Sequence, residues 1–306
     1  MTVIREHSTQ SHRLSAKTIM ISTHSELPGV DMRLISLLFL VHLGCAADEG
    51  IQYGVATNLL ISRVDENQIS EGFNLDGIDS TEDGSTGCGI GDYTNALGES
   101  GVDNAMARLV PVLEQTEAIA AEDLIHQAIN SGELIILFEM TEVGSDPLHD
   151  EAVTLNVLRG EGKPIVGTDG RLVAGQTFDI DTAVVPTGEP EVTLDDGLVT
   201  ASGLTLNIPL EIFDARLNAV LENASVRIAW NDDGTFSGYM GGGLDYWAIV
   251  DMAINSNVDQ ALAESLPLLF ASNADLDPSD MGTCQKISFT FVFDGVPAYV
   301  FGQTSY

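Results

Sequence analysis

The stretch that decides the fold is "GLTLNIPLEIF", residues 203–213. Leucine or isoleucine stands at every second position from Leu204 to Ile212, so an extended strand places all of them on one face. Pro209 falls on the opposite parity. Because proline donates no ladder hydrogen bond, its position indicates an edge strand or a bulge.

Three further segments show the same alternation of apolar and polar residues: "EAVTLNVLRG" (151–160), "ASVRIAW" (224–230) and "ISFTFVF" (287–293). Such alternation is typical of a sheet with one buried face. Asp-Gly pairs favour the positive φ angles of tight hairpin turns. Three such pairs separate the apolar runs: Asp169-Gly170, Asp196-Gly197 and Asp233-Gly234.

Helical periodicity appears in three other places, residues 103–130, 246–255 and 258–270. In the first, apolar residues recur at spacings of three and four, and Ser131-Gly132 is a suitable carboxyl cap. The sequence therefore predicts an α+β fold. We expect a mostly antiparallel meander or sandwich of about ten strands, with a few helices packed on it.

The charge of the chain is strongly negative, with 46 acidic against 12 basic residues and a net charge of −34. This balance argues against nucleic acids and anionic membrane surfaces as direct partners. It is compatible with divalent cations, cationic ligands or salty surroundings. An acidic surface also keeps a protein soluble without any partner.

The segment "MRLISLLFLVHLGC", residues 32–45, has a single arginine before an apolar run that is too short to span a membrane. It resembles a bacterial lipoprotein signal, in which the cysteine after a small residue is lipidated and becomes the new amino terminus. That resemblance assigns the lipid to Cys45. His42 departs from the usual pattern, and an ordinary secretion signal is the alternative.

Residues 1–31 show no periodicity, and we expect translation to start at Met32. Residues 1–44 are accordingly interpreted as an extension plus a signal peptide. The remainder, 45–306, is predicted to form a single exported domain with an acidic, glycine-rich loop at about 72–101.

With Cys45 lipidated, Cys88 and Cys284 remain. In an exported protein such a pair is expected to form a disulfide. A free thiol or a cysteine metal ligand is the alternative, although neither cysteine has a second one at metal-ligand spacing.

The loop contains "NLDGIDSTEDGSTGCGIGD", residues 74–92, whose oxygen-bearing side chains suit calcium. It is not an EF-hand, because the twelfth position is Ile90 and no helix precedes the loop. A looser calcium loop and a solvated loop without metal are both open. The disulfide would bring the acidic stretch 273–284 close to this loop. The candidate ligands are Asn74, Asp76, Asp79, Asp83, Asp92 and Asp103.

The sequence holds no recognised catalytic motif. Trp230 shares its parity with core residues and is expected to be buried. Tyr246 and Trp247 flank the same hairpin and would stack on sugar rings if they were exposed. A lipid cavity beneath the helices is a further possibility. A hydrolase would instead need two carboxylates facing each other in a cleft.

The segment Met32–Cys45, the block "LDGIDS…GC…GVDN" and the ending "GTCQKISFTF" resemble uncharacterised outer-envelope lipoproteins of Gram-negative bacteria. Ala46 does not look like an inner-membrane retention signal, so the resemblance implies an outer-membrane anchor. We expect a non-enzymatic lipoprotein with a structural or binding role at the cell envelope, stabilised by Ca²⁺. The alternatives are a carbohydrate- or lipid-binding module and a hydrolase that uses acidic residues. Membrane contact would run through the acyl chains alone. A small-molecule or protein partner is left open.

Overall fold

The computed structural model describes residues 50–81, 86–115, 121–212, 215–255 and 260–301. Within these ranges, twelve strands join one large sheet and two others form a separate ladder. The strands are, in chain order, β1 (Gly50–Ala56), β2 (Leu60–Ile61), β3 (Tyr93–Thr94), β4 (Ser100–Val102), β5 (Ile135–Val143), β6 (Asp150–Glu161), β7 (Thr177–Ile180), β8 (Thr187–Leu194), β9 (Leu198–Ile212), β10 (Ala215–Trp230), β11 (Phe236–Asp245), β12 (Leu276–Pro278), β13 (Cys284–Pro297) and β14 (Tyr299–Phe301).

Helices lie where the helical periodicity predicts them. Pro111 is inside the first helix, and Gly132, at φ +89°, follows the end of the second. A left-handed glycine just past a helix is a common carboxyl cap. The helices are α1 (Met106–Leu113), α2 (Ala121–Ser131), α3 (Tyr246–Asn255) and α4 (Gln260–Ala271).

The main path of the large sheet runs β14-β7-β6-β5-β1-β13-β11-β10-β9, with β2 and β12 paired to β13 and β8 paired to β6. The β14–β7 pair is parallel, and the other pairs between the described strands are antiparallel. The structure confirms the α+β class. It departs from a simple meander because β1 inserts between β5 and β13, strands that are distant in sequence.

Strand β9 carries the alternation that predicted it. Leu204, Leu206 and Ile208 are buried, whereas the intervening Thr205 and Asn207 are exposed. The strand ends the main path and hydrogen-bonds to β10, so its proline needs no ladder partner on the outer side. The predicted edge strand is confirmed.

All three predicted Asp-Gly pairs have a left-handed glycine, but in only one of them is the aspartate left-handed as well. Between β8 and β9, Asp196 (φ +49°) and Gly197 (φ +77°) are both left-handed. The backbone of Asp195 exchanges hydrogen bonds of 3.0 and 2.9 Å with that of Leu198 across them. Two consecutive left-handed residues twist a two-residue connection in the sense that right-twisted strands require.

An aromatic cluster forms the centre of the core. The ring of Phe138 stacks on that of Phe293 at 4.8 Å, and Trp230 lies 4.4 Å from Phe236. Trp230 is 3% exposed, which confirms its predicted place in the core. A Cβ atom at Gly54 would overlap the ring of Phe236, so glycine at that position gives the ring its space.

Among the described residues, no helix combines the length and apolar character needed to cross a membrane. Cys45 and the segment before it lie outside the described residues. The extension, the signal peptide and the lipidated cysteine therefore stay predictions.

Candidate functional sites

The structure brings Cys88 and Cys284 together as a disulfide, with their Cα atoms 6.0 Å apart. Cys88 lies in a 3-10 turn, Gly87–Gly89, inside the acidic loop, and Cys284 is the first residue of β13. The prediction that these two cysteines can pair is confirmed. The bond ties the acidic loop to a central strand of the sheet across 196 residues of chain.

The exposed carboxylates of the acidic loop accept hydrogen bonds from other residues of the same loop. Asp76 Oδ1 accepts the N–H of Ile78 at 2.8 Å, and Asp79 Oδ2 accepts the hydroxyl of Ser100 at 2.8 Å. Both aspartates are exposed at the surface. Asp76 closes a local turn of the kind that aspartate commonly makes in loops, whereas Asp79 holds a side chain at the far end of the loop.

Two further predicted ligands accept backbone N–H groups of the loop, Asp92 from within the loop and Asp103 from beyond its end. The half-buried Asp92 accepts the N–H of Ser80 through Oδ2 at 2.5 Å. Asp103, next to the end of β4, accepts the N–H of Leu75 through Oδ2 at 2.6 Å. Removing either carboxylate would leave a backbone donor of the loop unpaired.

Asp103 is the most unusual carboxyl group of the loop. It is 1% exposed, and its Oδ1 atom has no hydrogen-bond partner among the described residues. Burial raises its pKa to about 8, and the negative charges of Asp275, Asp76 and Asp92 add to the rise, against the opposing effect of the Leu75 N–H. The charged form of this carboxyl group is therefore disfavoured.

Asp275 is the second buried carboxyl group, at 2% exposure. The hydroxyl of Ser288 donates to its Oδ2 at 2.5 Å, and the Ser288 N–H donates to Oδ1 at 2.8 Å. Burial raises the pKa of Asp275 to about 7 in spite of these hydrogen bonds. Near by, Asp76 and Asp277 line a single cavity of about 260 Å³. The acidic stretch before Cys284 therefore does lie beside the acidic loop.

Among the described residues, no three or more Asp, Glu, His or Cys side chains group closely enough to hold a metal ion. Of the six predicted ligands, Asp83 lies outside the described residues. Asn74, Asp76 and Asp79 are exposed. Asp76 and Asp79 form hydrogen bonds with different residues of the loop. Within the described residues, the predicted ligands therefore do not form one metal-binding group. Their carboxylates instead accept hydrogen bonds from different residues of the loop.

The two aromatic residues proposed for sugar stacking have different environments. Tyr246 is 6% exposed and stacks on Phe270 of α4, with the ring centroids 6.2 Å apart. It belongs to the core under the helices and does not present its ring at the surface for sugar stacking. Trp247 is 50% exposed at the start of α3. Consecutive residues of a helix point about 100° apart. Tyr246 therefore lies on the buried face of α3, whereas Trp247 points towards the surface.

A groove that the sequence did not suggest opens beside β10, β11 and β13. Its volume is about 420 Å³. The guanidinium of Arg227 forms one wall and donates to both carboxylate oxygens of Glu99, at 2.7 and 3.2 Å. It also donates to the hydroxyl of Tyr239 at 2.8 Å. The side chain of Arg227 is 14% exposed and that of Glu99 is 51% exposed, so the guanidinium is the partner that is largely shielded from solvent.

Glu71 also lines the groove, and it differs from its neighbours. Its side chain is half-buried, and the hydrogen bonds in which it takes part in the described structure use its backbone carbonyl. Burial raises the pKa of Glu71, Arg227 lowers it and Glu99 raises it further. A partly desolvated carboxylate in a concave surface is a common element of binding sites.

No family model, curated protein or solved structure matches the chain.

Proposed function

We propose that this chain is a non-enzymatic exported lipoprotein, held at the outer membrane by acyl chains on Cys45, with a structural or binding role at the cell envelope. The observation that carries the proposal is the disulfide between Cys88 and Cys284. Disulfides persist in oxidising compartments and are rare in a reducing cytosol. Together with the apolar segment that ends at Cys45, the pair supports export.

The charge of the body supports an anchor made of lipid alone. With a net charge of −34, the protein surface is repelled by anionic headgroups and by nucleic acids. Stable attachment therefore depends on more than one acyl chain inserted in the bilayer, because a single chain binds only marginally.

The two buried carboxyl groups are not placed to act on a substrate. Asp103 and Asp275 are 1% and 2% exposed, so a polymeric or sugar substrate does not reach them. A glycosidase-type hydrolase would need two carboxyl groups facing an open cleft. The carbohydrate-binding alternative retains Trp247, which is half exposed.

Acylation and location test this proposal together. Cells that express the chain are labelled with an alkyne-tagged fatty acid, and their membranes are separated on a density gradient. We expect label in the outer-membrane fraction for the natural chain, and loss of both label and sedimentation for Cys45→Ser. Cys88→Ser is the matched control and should keep the label. A natural chain that stays unlabelled in the soluble fraction would overturn the proposal.

Calcium binding at the acidic loop is the second part of the proposal. It is supported by the buried Oδ1 of Asp103, which has no partner among the described residues, and by the charges of Asp76, Asp92 and Asp275 around it. Calcium accepts a few carboxylates supplemented by carbonyl, hydroxyl and water oxygens. An ion here would stabilise the charged form of Asp103.

Thermal unfolding in millimolar calcium and in a chelator tests this second part. A ligand that binds only the folded state raises the melting temperature. We expect a rise for the natural chain that Asp103→Asn abolishes and that Asp169→Asn, at an exposed turn, leaves intact. Identical melting temperatures in calcium and chelator would remove calcium from the account.

A further inference from the structure

Glu71 is the carboxylate of the groove that has no partner of its own. Within the described part of the chain, no hydrogen bond or ion pair reaches its side-chain oxygens. The other charged groups are matched. Arg227 holds Glu99, whereas Asp294 accepts from Asn58 Nδ2 at 3.1 Å and lies 3.5 Å from the guanidinium of Arg171.

The ion pairs within and around the groove indicate which charge its ligand carries. Because Arg227 is already neutralised by Glu99, it offers little attraction to an anion. Glu71 is the charge in the groove without a direct partner: it is partly removed from water, and Arg227 acts on it without a hydrogen bond or ion pair between them. A desolvated carboxylate gains most from a cation that donates hydrogen bonds.

Apolar side chains form the rim of the same groove. Leu60 and Leu198 are each 38% exposed, and Leu97 is 59% exposed. Leucines that converge on one concavity offer a surface for the apolar part of a ligand. The groove thus combines one unmatched negative charge with an apolar border.

We propose that this groove binds an organic cation, whose ammonium group meets the carboxylate of Glu71 and whose apolar body lies against Leu60, Leu97 and Leu198. Charge complementarity at two scales supports this choice of ligand. Locally, Glu71 is unpaired; globally, the net charge of −34 attracts cations and repels anions. The proposal does not depend on the lipid anchor or on calcium.

Calorimetric titration of the purified full chain tests the proposal with two probes of nearly equal shape. 2-Phenylethylammonium carries the charge and an apolar ring, whereas 2-phenylethanol carries the ring alone. We expect the ammonium to bind at least about tenfold more tightly, which is the range of one charge-assisted hydrogen bond.

Variants locate the site. Glu71→Gln should weaken ammonium binding about tenfold and leave the alcohol unchanged. Glu66→Gln removes an exposed carboxylate outside the groove and is the matched control for net charge. Leu97→Ser alters an exposed rim position without affecting the core, and it should weaken both probes.

Each contrary result overturns the proposal. Equal loss in Glu71→Gln and Glu66→Gln would mean general attraction to an acidic surface. Equal affinity for ammonium and alcohol would mean that no cation is recognised. Binding that is absent in the natural chain, or unchanged in Leu97→Ser, would mean that this groove is not the site.

Discussion

The charge of Asp103 should make the protein lose stability as the pH rises. Burial raises its pKa from 3.8 to about 8, so between these values the folded state holds a proton that the unfolded chain has released. Stability is then fully present below pH 3.8 and falls until the pH passes the folded pKa. Each pKa unit corresponds to about 1.4 kcal/mol, so this group alone should cost roughly 3–4 kcal/mol between pH 5 and pH 8.

The substitution Asp103→Asn removes the charge and keeps an oxygen that can accept the N–H of Leu75. We expect this variant to gain about 3 kcal/mol relative to the natural chain on going from pH 5 to pH 8. Chemical denaturation in chelator at both pH values measures the difference. Asp169→Asn is the matched control, because Asp169 also accepts one backbone N–H, that of Arg171 at 3.1 Å, but is exposed. Equal pH dependence in the natural chain and Asp103→Asn would refute the reasoning.

Three other perturbations follow from the geometry. Replacing Cys88 and Cys284 together by serine should lower the free energy of unfolding by roughly 2–5 kcal/mol, and adding reductant to the variant should change nothing further. Gly54→Ala should lower the free energy of unfolding by about 1–3 kcal/mol or more, because its Cβ meets the ring of Phe236. Near-ultraviolet circular dichroism should show the disturbed aromatic core. An unchanged spectrum and an unchanged stability would contradict the packing. Arg227→Met should cost roughly 1–3 kcal/mol by leaving its hydrogen-bond partners unpaired, and unfolding that matches the natural chain would show the ion pair to be unimportant.

The strands could be predicted from the sequence because the pattern that indicates them involves only neighbouring residues. Alternation around Leu204 and Ile208 requires only neighbouring residues, and the left-handed turn at Asp196-Gly197 depends on two residues alone. The pairing of Cys88 with Cys284 could be predicted by elimination once export was assumed. None of these features requires knowledge of which strands are neighbours.

The order of the sheet and the groove could not be predicted in this way. The position of β1 between β5 and β13 depends on contacts across most of the chain. The groove joins Glu71, Leu97 and Arg227, which come from three separate segments. Tyr246 shows the same limit: its aromatic character was visible in the sequence, but its burial against α4 depends on helix packing. One residue of the sequence pointed to the groove. Arg227 alternates with the apolar residues of its strand, in a chain with only 12 basic residues.

The most direct test of the proposed lipoprotein is the mass of the amino-terminal peptide from the protein purified out of membranes. The account predicts a chain that begins at Cys45 and carries lipid on that residue. A peptide that extends upstream of Cys45, or one that begins after it without lipid, would contradict the anchor. The second outcome would still be compatible with export and with the disulfide of Cys88 and Cys284.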